Sequence, residues 1–219
     1  KYPTPHDMAS DSKKEVLKMW SGLGYNNRAI RLHQSSKILT NSSFDELYPD
    51  FTVLPGVGLY TNSALLSFAY EKKIIAIDTN IKRIIQRFFK VKNIDIFLKE
   101  NTDSLLKNFK SRDFNQALMD LGATICKTKK PNCTFCPLEP SCSKFIVQQD
   151  KKQLKFEGSM RQKRGRVLKM LLSEKSVTKE SIKKELKVNT KVTDDILASL
   201  AKDELITISK NKVIVIKDN

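Results

Sequence analysis

The chain has no run of 18 or more apolar residues, so no segment of it is long enough to span a bilayer as a helix. An N-terminal signal segment with an apolar centre is missing too, which removes the usual sign of export. Cysteine is scarce: four in 219 residues, too few for the disulfide scaffold of a small secreted domain. Acid is in short supply as well, with 24 Asp and Glu against 40 Lys and Arg and a formal net charge of +16. These absences point to a soluble intracellular protein with an anionic partner. Nucleic acid ranks ahead of an acidic membrane, because no strongly amphipathic basic helix stands out.

A hydrophobic content of 40% is enough for a core, in one large domain or two small ones. The first residue is Lys1, and "KYPTPHDMAS" reads as the end of one element and the start of another, so a preceding N-terminal piece is expected. Helical periodicity recurs over Lys13 to Trp20, Arg28 to Leu39, Thr61 to Tyr70, Thr79 to Phe89 and Asp113 to Cys126. Convincing strands are absent there, so an all-α domain is expected over 1–146. The polar, basic stretch that follows is read as a linker over 147–159.

After it come helical patterns at Arg161 to Leu172, Thr178 to Leu186 and Thr193 to Lys202, the second opened by a Thr cap. Two short β runs, "LITIS" and "KVIVI", are separated by Lys210 and Asn211. Three helices and a hairpin spell a winged helix-turn-helix over 160–219. Residues 151–219 hold 18 Lys and Arg against 9 Asp and Glu, which looks like an added nucleic-acid grip. Lys187, Asn189 and Lys191, at the start of the third helix, are the expected phosphate or groove contacts. Packing against the first domain or a protein partner is the plainer alternative for so small a fold.

Three motifs carry chemistry. In "LPGVGLYTNSALLSFAY", residues Leu54, Pro55, Gly56, Val57 and Gly58 make a tight turn whose glycines let a phosphate oxygen approach the backbone. The helix starting near Thr61 adds N–H donors and the positive end of its dipole, so the corner can grip a DNA backbone without reading sequence. The second motif is C-x6-C-x2-C-x5-C, formed by Cys126, Cys133, Cys136 and Cys142 within 17 residues. Four thiolates so placed can surround a [4Fe–4S] cluster or a Zn²⁺ ion. One short knuckle flanked by two looser arms favours the cluster over zinc. Lys127, Lys129 and Lys130 make the first arm a basic loop suited to phosphates.

The third motif is Asp78 with Asn80, twenty residues after Gly58, where an apolar run meets the basic helix "TNIKRIIQRFF". A lone Asp in such a place is most simply an N-cap. Beside a DNA grip and a metal site it becomes a candidate catalytic carboxylate.

These motifs, with "FNQALMDLGATIC", follow one another as in the helix–hairpin–helix DNA glycosylases of the endonuclease III superfamily, which residues 1 to about 170 resemble. "SGLGYNNRAIRLH" and "KFEGSMRQKRGRVL" look most like the branch that removes adenine mispaired with 8-oxoguanine or guanine. The resemblance implies a mainly α core with a [4Fe–4S] loop, followed here by a small α+β winged helix. It implies duplex DNA carrying a mispaired or damaged base as the partner, with no membrane, and a monomer acting at the nucleoid in the cytoplasm is expected.

Asp78 matches the family's catalytic aspartate, which stabilises or transiently bonds the oxocarbenium-like C1′ as the base departs. Tyr60 and Asn80 match residues lining the same pocket. Tyr60 also stands where bifunctional members keep a Schiff-base lysine, so base removal by water with little strand cleavage is expected. The adenine branch further uses a Glu that protonates the leaving base, on a helix that would precede Lys1. That residue is not in this sequence, so the chain as given is expected to be inactive or impaired unless such a segment exists. The usual domain that reads 8-oxoguanine is not evident. Two alternatives stay open: a thymine–guanine mismatch glycosylase, which shares the Tyr and the D-x-N triplet, and a non-catalytic DNA-binding protein with a structural metal held by the four cysteines.

Overall fold

A computed structural model describes residues 1–146, 155–174, 176–209 and 213–217. Its elements are almost all helices: α1 (Pro5–Ala9), α2 (Lys13–Met19), α3 (Asn27–Ile38), α4 (Phe44–Leu47), α5 (Leu59–Phe68), α6 (Thr79–Phe89), α7 (Ile94–Leu105) and α8 (Ser111–Thr124) in the first part. The second part contains α9 (Met160–Ser173), β1 (Val177–Thr178), α10 (Lys179–Leu186), α11 (Thr190–Lys202), β2 (Ile206–Ile208) and β3 (Val213–Ile216). The five helices expected before residue 127 and the three after residue 159 are all present, with ends shifted by three residues at most. No helix among the described residues is long and apolar enough to cross a membrane.

Helices α1, α4 and α7 and strand β1 lie outside the segments whose periodicity predicts an element. Two of the helices are short pieces set by local caps: Thr4 with Asp7 and Ser43 with Glu46 each form a reciprocal capping box. Asn93 caps α7 by accepting the N–H groups of Asp95 and Ile96. Residues 147–154 of the expected linker lie outside the described residues, as do Lys210 and Asn211.

The chain divides into two compact units. The first comprises Lys1–Tyr48, Val53–Gly56 and Gln153–Asn219. In it, Val16 and Leu17 of α2 and Ala29 and Ile30 of α3 share one apolar cluster with Val167 and Leu171 of α9, Ile196 and Leu200 of α11 and Ile214 of β3. Lys14 Nζ also donates to the Glu174 carbonyl at 3.1 Å. The winged helix is therefore packed on α2 and α3. Its sheet has the order β1-β3-β2, both pairings antiparallel, with Ile206 opposite Ile216 and Val177 opposite Ile214.

The second unit comprises Pro49–Thr52 and Val57–Lys152. Its core gathers Ile75, Ile81, Ile85, Ile94, Leu98 and Leu106. Ile81 and Ile85 are four apart and so share one face of α6, leaving Asp78, Asn80, Arg83 and Arg87 near its rim.

Candidate active site and cysteine cage

Asp78 is the N-cap of α6. Its Oδ1 accepts the Ile81 N–H at 2.7 Å, and its Oδ2 accepts from Asn80 Nδ2 at 3.2 Å. The plain structural role expected of a lone Asp here is thus present. It uses one oxygen and fixes the carboxylate, leaving the other, on a half-buried side chain, with a lone pair to spare.

The segment leading into Asp78 is held by Asn115, which is fully buried on α8. Asn115 Oδ1 accepts the Ala76 N–H at 2.9 Å, while its Nδ2 donates to Ser67 Oγ at 2.8 Å and to the Ile74 carbonyl at 2.9 Å. Ser111 Oγ accepts the Ile74 N–H at 3.0 Å. These inward-turned polar groups of the extended segment are satisfied by side chains rather than by a sheet partner.

Asn80 is oriented by Arg83, a nearly buried arginine one turn further along α6. Arg83 Nη2 donates to Asn80 Oδ1 at 2.8 Å and to the Gly122 carbonyl at 2.7 Å, and Nε donates to the Cys126 carbonyl at 2.7 Å. Because Arg83 occupies the amide oxygen, the Asn80 NH₂ is the end that faces Asp78. Arg87 continues the row toward the cysteines: Nη1 donates to Cys126 Sγ at 3.3 Å and to the Lys127 carbonyl at 2.8 Å, and Nη2 to the Thr128 carbonyl at 2.9 Å. Neither arginine nor Gly122 figured among the residues singled out from the sequence. The spacing of Arg83 and Arg87, four apart on the helix that Asp78 caps, was the available signal.

Tyr60 lies in the first turn of α5 and is 44% exposed. Among the described residues it makes no hydrogen bond to Asp78 or Asn80.

The hairpin residues divide between the two units. In the first, Leu54 is buried, and Ser35 Oγ donates to the Pro55 carbonyl at 3.0 Å. Gly56 has φ +89°, and a Cβ there would stand 3.0 Å from Arg31 Cβ, so glycine is required on both counts. In the second unit Gly58 is the extended N-cap of α5, and no side chain caps the helix. The N–H groups of its first turn, up to Thr61, are left facing outward for an anion.

Cys126, Cys133, Cys136 and Cys142 are unpaired and half-buried, and all four line one cavity of about 80 Å³ together with Arg87, Pro131 and Lys144. Two short 3₁₀ turns, Cys133–Phe135 and Glu139–Ser141, fold the loop around it. Cys142 Sγ accepts the Lys144 backbone N–H at 3.4 Å. N–H donors aimed at two of the sulfurs are what thiolate ligands require. As they stand, no three potential ligands among the described residues converge tightly on a single ion. Four thiolates around a cavity of this size fit a multi-atom cluster better than one zinc ion. Lys127, Lys129 and Lys130 are exposed on the same loop.

In the winged helix, Lys187 ends α10 in the left-handed conformation and Lys191 is in the first turn of α11, both exposed. Asn189, expected as a contact, is the cap of α11 and accepts the Val192 N–H at 2.9 Å. The cap uses its amide oxygen and leaves its NH₂ as a donor.

Residues 1–110 match the model of the HhH-GPD superfamily base excision DNA repair proteins, and residues 154–214 match that of the TFIIE alpha subunit. An adenine DNA glycosylase of Mycobacterium tuberculosis is 32% identical over 222 residues, covering 94% of this chain and 73% of that protein. One from Buchnera aphidicola is 36% identical over 148 residues, covering 64% of this chain and 42% of its own length. Among solved structures, a thermostable thymine-DNA glycosylase has a TM-score of 0.58 at 33% identity, over 65% of this chain and 70% of that one. An endonuclease III trapped as a covalent intermediate with DNA has a TM-score of 0.53 at 28% identity, over 66% and 70%. The chain belongs to the HhH-GPD superfamily of base excision DNA repair proteins, on the endonuclease III side and within the adenine glycosylase branch.

Proposed function

We propose that this chain is the core of a monofunctional DNA glycosylase that removes adenine paired with 8-oxoguanine or guanine, and that Asp78 is its catalytic carboxylate. The observation that carries the reading is the geometry at Asp78. One oxygen is locked by the α6 cap, and the other is held toward Asn80 with a lone pair free. A carboxylate so fixed can face the C1′ that turns positive as the C1′–N bond breaks and the base leaves with the bonding electrons. Water then supplies the oxygen that bonds C1′, and the proton this water loses balances the one the departing base takes up. Asn80 positions Asp78, and Tyr60 contributes to the pocket wall without the amine that strand cleavage by Schiff base would need.

Leu54 to Gly58, the start of α5 at Thr61, and Lys127, Lys129 and Lys130 hold the phosphate backbone, with Lys187 and Lys191 as contacts from the winged helix. Cys126, Cys133, Cys136 and Cys142 hold a [4Fe–4S] cluster, which supplies a rigid cross-link of the loop that carries the three lysines. The work is divided between a glycosylase core over 1–146 and the winged helix over 160–219.

The adenine relatives support the choice of base. A second reading, release of thymine opposite guanine, is favoured by the likeness to the thymine-DNA glycosylase. The test compares base release from otherwise identical duplexes carrying A·8-oxoguanine, A·G or T·G, using the protein as its gene encodes it. Free adenine from the first two supports the proposal, free thymine from the third supports the second reading, and release of neither base overturns both.

A further inference from the structure

The winged helix spends most of its acids on its own surface. Asp203 pairs with Arg164, Glu185 with Arg166 at 2.8 Å, Asp194 with Lys179 at 2.6 Å, and Glu204 with Lys217 at 3.3 Å. Glu174, Glu180 and Asp195 have no ion pair among the described residues, while four lysines gather at one elbow. Lys183, Lys184 and Lys187 occupy the last turn and end of α10, and Lys191 follows in the first turn of α11. Among the described residues none of the four has an ion pair or a side-chain hydrogen bond. Lys184, Lys187 and Lys191 are exposed and Lys183 is half-exposed. The left-handed Lys187, φ +52°, makes the turn sharp enough for the two helix ends to meet there.

The helix that a winged helix-turn-helix would send into the major groove is α11. Its exposed middle positions are Asp194, Asp195, Ala198 and Ala201. Two carboxylates repel phosphate, and two alanines offer no donor to a base edge, so the middle of this face supplies none of the bidentate contacts that sequence reading uses. The domain also shares its apolar core with α2 and α3, which makes its elbow a fixed outpost of that unit rather than a tethered one.

We propose that the winged helix clamps the backbone of duplex DNA at the α10–α11 elbow, through Lys183, Lys184, Lys187 and Lys191, without entering the groove and without reading sequence. The proposal rests on duplex DNA as the partner, and not on which base is removed or whether one is.

The test is binding of the whole chain to an undamaged duplex across a salt series, a readout independent of base release. Each lysine released from a phosphate lowers the slope of log affinity against log salt by about 0.9. Replacing all four by alanine should therefore lower it by about 3–4, equally on unrelated sequences, and each single change by about 1. Lys202→Ala, at the far end of α11, should leave it unchanged. Asp194→Asn with Asp195→Asn should tighten binding a few-fold on every sequence. A wild-type slope in the quadruple variant would overturn the proposal and leave the face to a protein partner. Loss confined to one sequence would overturn it in favour of groove reading.

Discussion

Gly122 lies so close to Asn80 that a Cβ added to it would stand 2.5 Å from Asn80 Cβ and 3.2 Å from Asn80 Cα. Helix α8 can approach the first turn of α6 only because position 122 has no side chain. Gly122→Ala should push Asn80 off Asp78, since the backbone of α6 is one of the two clashing partners. Overpacking of this kind costs about 1–3 kcal/mol of stability. A displacement near 1 Å beside the chemistry costs on the order of 100-fold in rate. Urea unfolding and single-turnover base release measure the two effects.

Arg83 satisfies four acceptors from one guanidinium: Asn80 Oδ1 and the Thr79, Gly122 and Cys126 carbonyls. Lysine keeps the charge but cannot reproduce the fork. Arg83→Lys should leave buried acceptors unmet and cost about 1–3 kcal/mol. It should also slow base release, because Asn80 is then free to turn. A variant with wild-type unfolding and wild-type rate would remove Arg83 from the positioning network.

The larger helices were legible because their apolar residues recur at helical spacing, as Ile81, Ile84 and Ile85 do in α6. Helices α1 and α4 span five and four residues, too short for a period to show, although their capping boxes stood in the sequence as T-P-H-D and S-F-D-E. In α7 the run Asn101, Thr102, Asp103 and Ser104 consists of weak helix formers, and packing on Ile75 and Ile81 outweighs them. Asp78 and the four cysteines stood out in the sequence because a lone acid in a basic stretch and a cysteine cluster are rare. Gly122 and Asn115 did not, because their roles are contacts of α8 with Asn80 and with the segment leading into Asp78, which no local spacing encodes.

For the cysteine cage, purified protein should be brown, with a broad visible band and about four irons per chain. Cys136→Ser should weaken the band and lower the melting temperature, because the loop around the cavity loses its cross-link. Arg87→Met should make the cluster more easily lost to chelator or air, since it removes the donor to Cys126 Sγ. A colourless protein with one zinc would contradict the assignment.

His33 is buried in the first unit with Nε2 3.1 Å from the Asp11 carbonyl. Burial, reinforced by Lys37, lowers its pKa from the usual 6.5. The unfolded chain therefore binds this proton more readily than the folded one, and stability falls as pH drops through 6.5 toward the lowered folded value. Above 6.5 the group is neutral in both states and contributes no slope. His33→Gln should flatten the loss in urea stability between neutral pH and the onset of carboxylate titration. An unchanged profile would show that His33 is not its source.

Asp78→Asn is the most direct measurement, because Asn is as good an N-cap as Asp and the substitution removes the charge and, with it, only the hydrogen bond from Asn80 Nδ2. The fold and the affinity for an undamaged duplex should stay as they are, checked by melting temperature and by binding. Single-turnover release of adenine from an A·8-oxoguanine duplex, by the protein as its gene encodes it, should fall by at least about 100-fold, the usual cost of losing a group that stabilises transition-state charge. Release at the wild-type rate by Asp78→Asn would contradict the assignment of Asp78 as the carboxylate that faces the sugar cation.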